Sequence, residues 1–318
     1  MSSPYVFKAT GDLCTIYPPP LNFLIGSFMS NPQTVSAPAA AAGTFALGGD
    51  LPVNRMGFGA MRLTGKGIWG PPRNRAEAIR VLQRAVELGV NFFDTADSYG
   101  PHISEELIAE ALHPYPDLVI ATKGGLERPG PNRWVENGRP EYLRRQLEAS
   151  LERLKLDRID LWQLHRIDPK VPADEQFAAI RAFQDEGLVR HLGLSEASAE
   201  EIERARAFVP VMSIQNRYNV GDRKWDSEVD YCEREQMAFI PWFPLSAGGL
   251  SEGGPLHRAA QRHGATVYQV ALAWLLARSP NMLVIPGTST VAHLEENIAA
   301  AELRLTRQDM AELNQIGG

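Results

Sequence analysis

Cysteine is scarce in this chain, with only Cys14 and Cys232 among 318 residues. Two such thiols supply neither a disulfide framework nor a metal-ligand cluster, so a reducing, cytoplasmic setting is the expectation. Long apolar runs are missing too: nothing approaches the roughly 20 residues a membrane helix requires. Excess positive charge is absent, since the formal net charge is −6. That removes the basic footprint expected of a protein that binds nucleic acid or an anionic membrane surface. No Gly-x-Gly-x-x-Gly turn follows the first candidate strand, which counts against an open, doubly wound dinucleotide fold. Five histidines, His102, His113, His191, His257 and His263, show no paired spacing, so no metal site is expected.

What is present suits a large soluble core, with 44% hydrophobic and 22% charged residues. The first 42 residues differ from the rest. They hold Pro18-Pro19-Pro20, a short apolar patch from Leu21 to Gly26, and a low-complexity run from Ala37 into Gly43. We read residues 1–42 as a disordered extension and 43–318 as one domain. A secretory signal fits poorly, because Lys8 is the only basic residue before the patch and prolines interrupt it. Met29 is an alternative start.

From residue 43 onward, short β-rich runs alternate with amphipathic helical stretches. The candidate strands are 56–60, 91–94, 118–122, 159–164, 190–194, 211–215, 238–242 and 282–286. The candidate helices are 75–88, 104–112, 140–154, 174–186, 198–207, 226–235, 266–278 and 293–302. Eight alternating pairs predict an α/β fold of the closed (β/α)8 TIM-barrel type. Thr44–Leu47 and Leu51–Val53, joined by Gly48-Gly49-Asp50, predict a short N-terminal hairpin. Thr306 as a cap with Asp309 in the first turn predicts an extra C-terminal helix.

Four residues carry the chemistry. Asp94 and Tyr99 lie in Asn91-Phe92-Phe93-Asp94-Thr95-Ala96-Asp97-Ser98-Tyr99-Gly100; Lys123 follows Leu118–Thr122; His165 follows Ile159–Leu164. Each sits after a short apolar strand, so all four can meet at the C-terminal mouth of one barrel. Together they make a proton-delivery site. An ammonium beside a phenol favours the phenolate, so Lys123 is expected to lower the Tyr99 pKa.

This constellation resembles the aldo-keto reductase family from about Leu51 to the last helix, and Trp69-Gly70-Pro71-Pro72, with Tyr99-Gly100-Pro101-His102 and Ile285-Pro286-Gly287-Thr288-Ser289, resembles a bacterial branch of it that includes pyridoxal reductases. The family pattern Asp-Thr-Ala-x-x-Tyr-Gly is present as Asp94-Thr95-Ala96-Asp97-Ser98-Tyr99-Gly100. Gly193-Leu194-Ser195, Gln215, and Ile285-Pro286-Gly287-Thr288-Ser289 through Glu296-Asn297 match its cofactor motifs. The resemblance implies reduction of an aldehyde or ketone, with Asp94, Tyr99, Lys123 and His165 catalytic and Tyr99 as proton donor. The hydride must come from a nicotinamide cofactor, because no side chain carries one. The cofactor is expected to be NADPH, with NADH the alternative.

By the same resemblance, Gly59, Ala60, Met61, Asp94, Ser195, Gln215 and Trp242 line the nicotinamide half of that cofactor. Leu245 begins a flap, Leu245–Leu250, over the pyrophosphate. Gly287, Thr288, Ser289 and His293 approach its phosphates at a helix N-terminus, and Glu296 with Asn297 holds the adenine. Two positions depart from the pattern. Glu196 stands where asparagine is usual, and Gly287 with His293 replaces a lysine and arginine clamp. Substrate is expected to meet Trp69, Tyr99, Trp134 and His165, with pyridoxal a candidate aldehyde. The expected partner is thus a small carbonyl compound, with neither nucleic acid nor membrane, for a monomer or weak homo-oligomer. Two other classes use the same residues: an aldolase with Lys123 as Schiff-base nucleophile, and a cofactor-binding redox sensor with little turnover.

Overall fold

Gly48 and Gly49, at φ of 63° and 84°, reverse the chain between β1 (Thr44–Leu47) and β2 (Leu51–Asn54). These strands pair antiparallel, Leu47 opposite Leu51. Glycine takes the left-handed region without steric cost. Asp50 at this turn accepts from His191 at 2.6 Å and from Arg190 at 2.9 Å, which ties the hairpin to the barrel. Leu47 and Val53 pack with Phe92, Val119, Leu161, Ala238 and Leu283. These lie near the N-terminal ends of their strand segments, so the hairpin plugs the end of the barrel opposite the candidate site. The computed structural model describes residues 37–245 and 253–317.

The chain then forms β3 (Phe58–Gly59), β4 (Phe92–Asp94), β5 (Val119–Gly124), β6 (Leu126–Gly130), β7 (Arg133–Glu136), β8 (Ile159–Leu164), β9 (Val189–Ser195), β10 (Val211–Gln215) and β11 (Ala238–Phe239). Seven of these form one parallel sheet in the order β11-β10-β9-β8-β5-β4-β3. Segment 282–286 closes the ring. Leu283 N donates to Phe239 O on one side, Val284 N donates to Arg55 O on the other, and Gly57 N returns a bond to Val284 O. Parallel bridges Phe239 to Met282 and Met56 to Val284 mark the same closure. The (β/α)8 barrel is thus complete. Pro241 and Pro286 have no N–H, so the ladder shortens at these two segments.

Ten helices surround the barrel among the described residues: α1 (Arg75–Glu87), α2 (Ile103–Leu112), α3 (Pro140–Leu154), α4 (Ala173–Asp185), α5 (Ala199–Arg206), α6 (Asp226–Arg234), α7 (Pro255–His263), α8 (Val267–Arg278), α9 (Val291–Ala299) and α10 (Arg307–Leu313). The expected cap of α10 is present as a reciprocal box. Asp309 N donates to Thr306 Oγ1 at 3.1 Å, and Thr306 N donates to Asp309 Oδ2 at 2.8 Å.

Three features differ from the sequence reading. Helix α7 inserts between β11 and α8, and residues 127–139, which hold no candidate strand or helix in the sequence reading, contain most of the antiparallel hairpin β6–β7. Pro38–Ala42, assigned to the extension, instead forms a 3-10 turn with Ala39 and Ala42 buried. Ala39 N donates to Leu88 O at 3.0 Å, and the Ala37 side chain packs against Gly89. Alanine composition reads as low complexity, yet small side chains also allow this close approach. The remainder of the extension, with Met29, and the flap beyond Leu245 lie outside the described residues.

Candidate active site

The site begins where strands end. Asp94 closes β4, and the next residues stay tied to β5: Thr95 N donates to Ala121 O at 2.8 Å, and Asp97 N donates to Lys123 O at 3.2 Å. Gly100, at φ 109°, then turns the chain into α2, where a Cβ would strike the Ile103 side chain. This turn holds Tyr99 over the barrel mouth. His165 follows β8 and donates its backbone N–H to Gly124 O at 2.9 Å.

Lys123 is fully buried and connects the group. Its Nζ donates to Asp94 Oδ1 at 2.6 Å and to Thr95 O at 2.7 Å, and lies 3.4 Å from the Tyr99 hydroxyl. The other Asp94 oxygen accepts from Gln163 at 3.1 Å and Gln215 at 2.8 Å. A buried carboxylate is costly unless paired and hydrogen-bonded, and here both oxygens are engaged. Burial opposes the Lys123 charge, but Asp94 and Tyr99 outweigh it and raise its pKa above the usual 10.5.

Tyr99 differs from expectation. Burial raises its pKa, Lys123 pulls it down, and Asp94 raises it again; the result lies above the usual 10.0. Lys123 therefore does not bring Tyr99 into the working range in this state. The phenol keeps its proton, which is the state a proton donor requires. His165 is held well below the usual 6.5, first by burial and then by Lys123, Arg166 and Arg128, so its ring is neutral at pH 7. Its Nδ1 lies 3.3 Å from Ser98 Oγ. In the tautomer where Ser98 donates to Nδ1, Nε2 carries the proton and can donate to a carbonyl oxygen.

A cavity of about 630 Å³ opens on this group. Its wall includes Tyr99, His165, Trp134 and Asp94, and, of the expected cofactor residues, Gly59, Met61, Ser195, Gln215, Trp242, Leu245 and Gly287. Ala60 and Trp69 are not on this wall. Trp69 lies behind it, where the Arg128 guanidinium sits 5.6 Å from its ring and 3.6 Å from that of Trp134. Arg128 also donates to Ser98 O at 2.7 Å and Gly67 O at 3.0 Å, coupling the hairpin to the Tyr99 loop. Trp134 meets Tyr99 edge-on at 6.3 Å and His165 at the same distance.

Toward the phosphate end, Gly59 and Gly287 lie back to back. A Cβ on Gly287 would fall 2.6 Å from Gly59 O, and one on Gly59 would fall 2.7 Å from Ile285 O. That contact explains the missing lysine, since no side chain fits at 287 without backbone movement. Arg62 lines the cavity beside Gly287 and supplies a cation there. Thr288, Ser289, His293, Glu296 and Asn297 continue beyond the cavity into α9. Thr290 caps that helix by accepting from His293 N at 3.4 Å, and Val291 N is taken by Glu77 Oε1 at 3.0 Å. The cavity, its glycine-lined end and its aromatic face at Trp242 fit a nicotinamide dinucleotide. No group of described residues is arranged to hold a metal.

Glu196 has a defined use. At φ 55°, it accepts from Trp242 Nε1 at 2.7 Å and from Arg217 N at 2.6 Å through the same oxygen. It therefore fixes the indole on the cavity wall. Glu196→Ala is expected to free Trp242 and to weaken binding of a nicotinamide cofactor by about tenfold, from the loss of one charge-assisted bond; Glu196→Gln keeps the acceptor and most of the affinity. Quenching of tryptophan fluorescence by the reduced nicotinamide cofactor measures both.

Sequence reasoning did not single out Arg62, Ser98, Arg128, Glu136 or Gln163. Gln163 was detectable. Strand side chains alternate, so Leu161, Gln163 and His165 share the barrel interior, and a polar residue there stands out. Arg128 carried no such signal, because its partners are aromatic faces and backbone carbonyls, which leave no pattern in sequence.

The description "Aldo/keto reductase family" matches residues 55–317. The chain belongs to the aldo-keto reductase family of NAD(P)H-dependent oxidoreductases. It is 51% identical over 280 residues to an uncharacterised oxidoreductase of Schizosaccharomyces pombe, covering 88% of this chain and 91% of that one. It is 42% identical over 283 residues to pyridoxine 4-dehydrogenase of Escherichia coli K12, covering 87% and 99%. Among solved structures, the thermostable aldo-keto reductase Tm1743 in complex with epalrestat matches with a TM-score of 0.74 and 31% identity, over 84% of this chain and 96% of that one.

Proposed function

We propose that this chain reduces an aldehyde to an alcohol with NADPH, Tyr99 giving the proton, and that pyridoxal is among its substrates. The observation that carries this reading is Lys123 Nζ standing between Asp94 Oδ1, at 2.6 Å, and the Tyr99 hydroxyl, at 3.4 Å, with the neutral ring of His165 edge-on to Tyr99 at 5.8 Å. A nicotinamide held along Gly59, Ser195, Gln215 and Trp242 would supply the hydride for the carbonyl carbon. Tyr99 donates its proton to the carbonyl oxygen, and the Lys123 ammonium stabilises the phenolate left behind. Asp94 holds that ammonium charged and in place. His165 orients the same oxygen, while Trp134 and Trp242 line the cavity and restrict water.

Pyridoxal is proposed from the pyridoxine 4-dehydrogenase relative and the aromatic walls of the cavity. NADPH is proposed over NADH because Arg62, Ser289 and His293 can supply charge and hydrogen bonds near the phosphate end, with weaker discrimination than a lysine and arginine pair gives. Absorbance at the reduced nicotinamide band, with pyridoxal and simple aldehydes and each cofactor in turn, tests the reading. Absence of turnover with every aldehyde would overturn it.

A pH profile follows from the two shifts. Tyr99 keeps its proton to above 10.0, and His165 stays neutral to below 6.5, so kcat for reduction is expected to be level between these values. It falls on the alkaline side, as the acid form of Tyr99 is lost. A rate set by chemistry that declines between pH 8 and pH 6.5 would place a protonating histidine in the step instead.

A further inference from the structure

Arg166 lies directly after His165 and lines the cavity, half-buried. One nitrogen, Nη1, donates to His165 O at 2.5 Å and to Ser195 Oγ at 3.0 Å. Its Nε and Nη2 donate to no described atom, and it forms no ion pair with a described residue. Of the acids that act on it, Glu196 has one oxygen committed to Trp242 and the Arg217 backbone, and Glu136 stands on the same cavity wall. Burial pulls the guanidinium below its usual basicity, though it remains charged at neutral pH. A partly dehydrated cation with two nitrogens that donate to no described atom has donors left for a ligand to fill.

We propose that Arg166 selects aldehydes that carry an anionic oxygen, phenolate or carboxylate, on the atom next to the one bearing the formyl group. The tether to His165 O and Ser195 Oγ keeps the guanidinium beside the groups that face the reacting carbonyl. Only an anion close to that carbonyl can therefore meet its spare donors. A guanidinium suits such an oxygen, since two parallel N–H groups can point at it. Trp134 and Trp242 on the same cavity wall favour a flat ring as the carrier. Pyridoxal is one member of this class, its ring hydroxyl being adjacent to the aldehyde. The inference rests on the reductase reading above.

The test compares 2-carboxybenzaldehyde with its neutral methyl ester and with the 4-carboxy isomer, using the full chain with NADPH. Wild type is expected to favour the 2-carboxy compound over both by about tenfold to a hundredfold in kcat/KM, the range of one or two charge-assisted bonds. Arg166→Met should abolish that preference through KM, and Arg166→Lys should restore part of it. An unchanged preference in Arg166→Met would overturn the assignment. So would an equal loss on acid and ester accompanied by weaker NADPH binding, which would give Arg166 to the cofactor. Calorimetric binding of the three aldehydes to the NADP+ complex measures the same preference without turnover. Failure of all turnover with the binding preference intact would thus sink the reductase reading and leave the role of Arg166 standing.

Discussion

Tyr99→Phe is expected to lower kcat by about a hundredfold or more while NADPH binding stays within about twofold of wild type. General acids contribute about 10²- to 10⁴-fold, and the hydroxyl here lies 3.4 Å from the Lys123 ammonium on a ring that lines the cavity. The substitution removes one oxygen from a ring otherwise held by packing against Trp134 and His165. Folding should therefore be little changed, and thermal unfolding should shift by only a few degrees. Steady-state reduction of an aldehyde, with cofactor binding followed by fluorescence, separates the two effects. Because Tyr99 is protonated through the neutral range, the loss should be similar at pH 6.5 and at pH 8. A variant that kept more than a tenth of wild-type kcat with chemistry rate-limiting would remove Tyr99 from the proton step.

The barrel was legible because its signals are local. Apolar runs such as Leu118–Ala121 and amphipathic stretches such as 140–154 alternate eight times, and each period is visible within about 15 residues. The four catalytic candidates were legible for a related reason, since each follows such a run and barrel strands all point their C-terminal ends at one mouth. What was not legible depends on contacts between distant segments. The hairpin β6–β7 looks like a loop in sequence because Pro129, Gly130 and Pro131 interrupt it, yet its strands pair from Leu126 with Glu136 to Gly130 with Arg133. Arg128 then anchors it through Trp69, Trp134 and two carbonyls. The use of Glu196 was equally hidden, because it depends on an indole 46 residues away. The sign of the Tyr99 shift went wrong for a physical reason. The sequence shows a lysine near a tyrosine, whereas the depth of burial that outweighs that charge exists only in the folded barrel.

Stability and catalysis are expected to part at Lys123. Lys123→Met leaves the Asp94 carboxylate buried without its cation, and breaking one side of a buried ion pair costs about 3–5 kcal/mol. Against a total of about 5–15 kcal/mol for a typical domain, that is a large fraction, visible as a lower midpoint in urea. It also removes the charge that stabilises the Tyr99 phenolate, so kcat should fall by about a hundredfold or more. Adding Asp94→Asn to this variant removes the orphaned charge as well. The asparagine oxygen can still accept from Gln163 or Gln215, which now donate to Asp94 Oδ2. The double variant is therefore expected to be more stable than Lys123→Met alone, by about 1–3 kcal/mol, the cost of a buried group left unsatisfied. Its activity should remain as low, because no ammonium faces Tyr99 in either. Urea unfolding and aldehyde reduction on the four proteins of this cycle decide the matter. If activity recovered together with stability, the loss in Lys123→Met would be one of folding, and Lys123 would hold the barrel mouth together without acting on the proton.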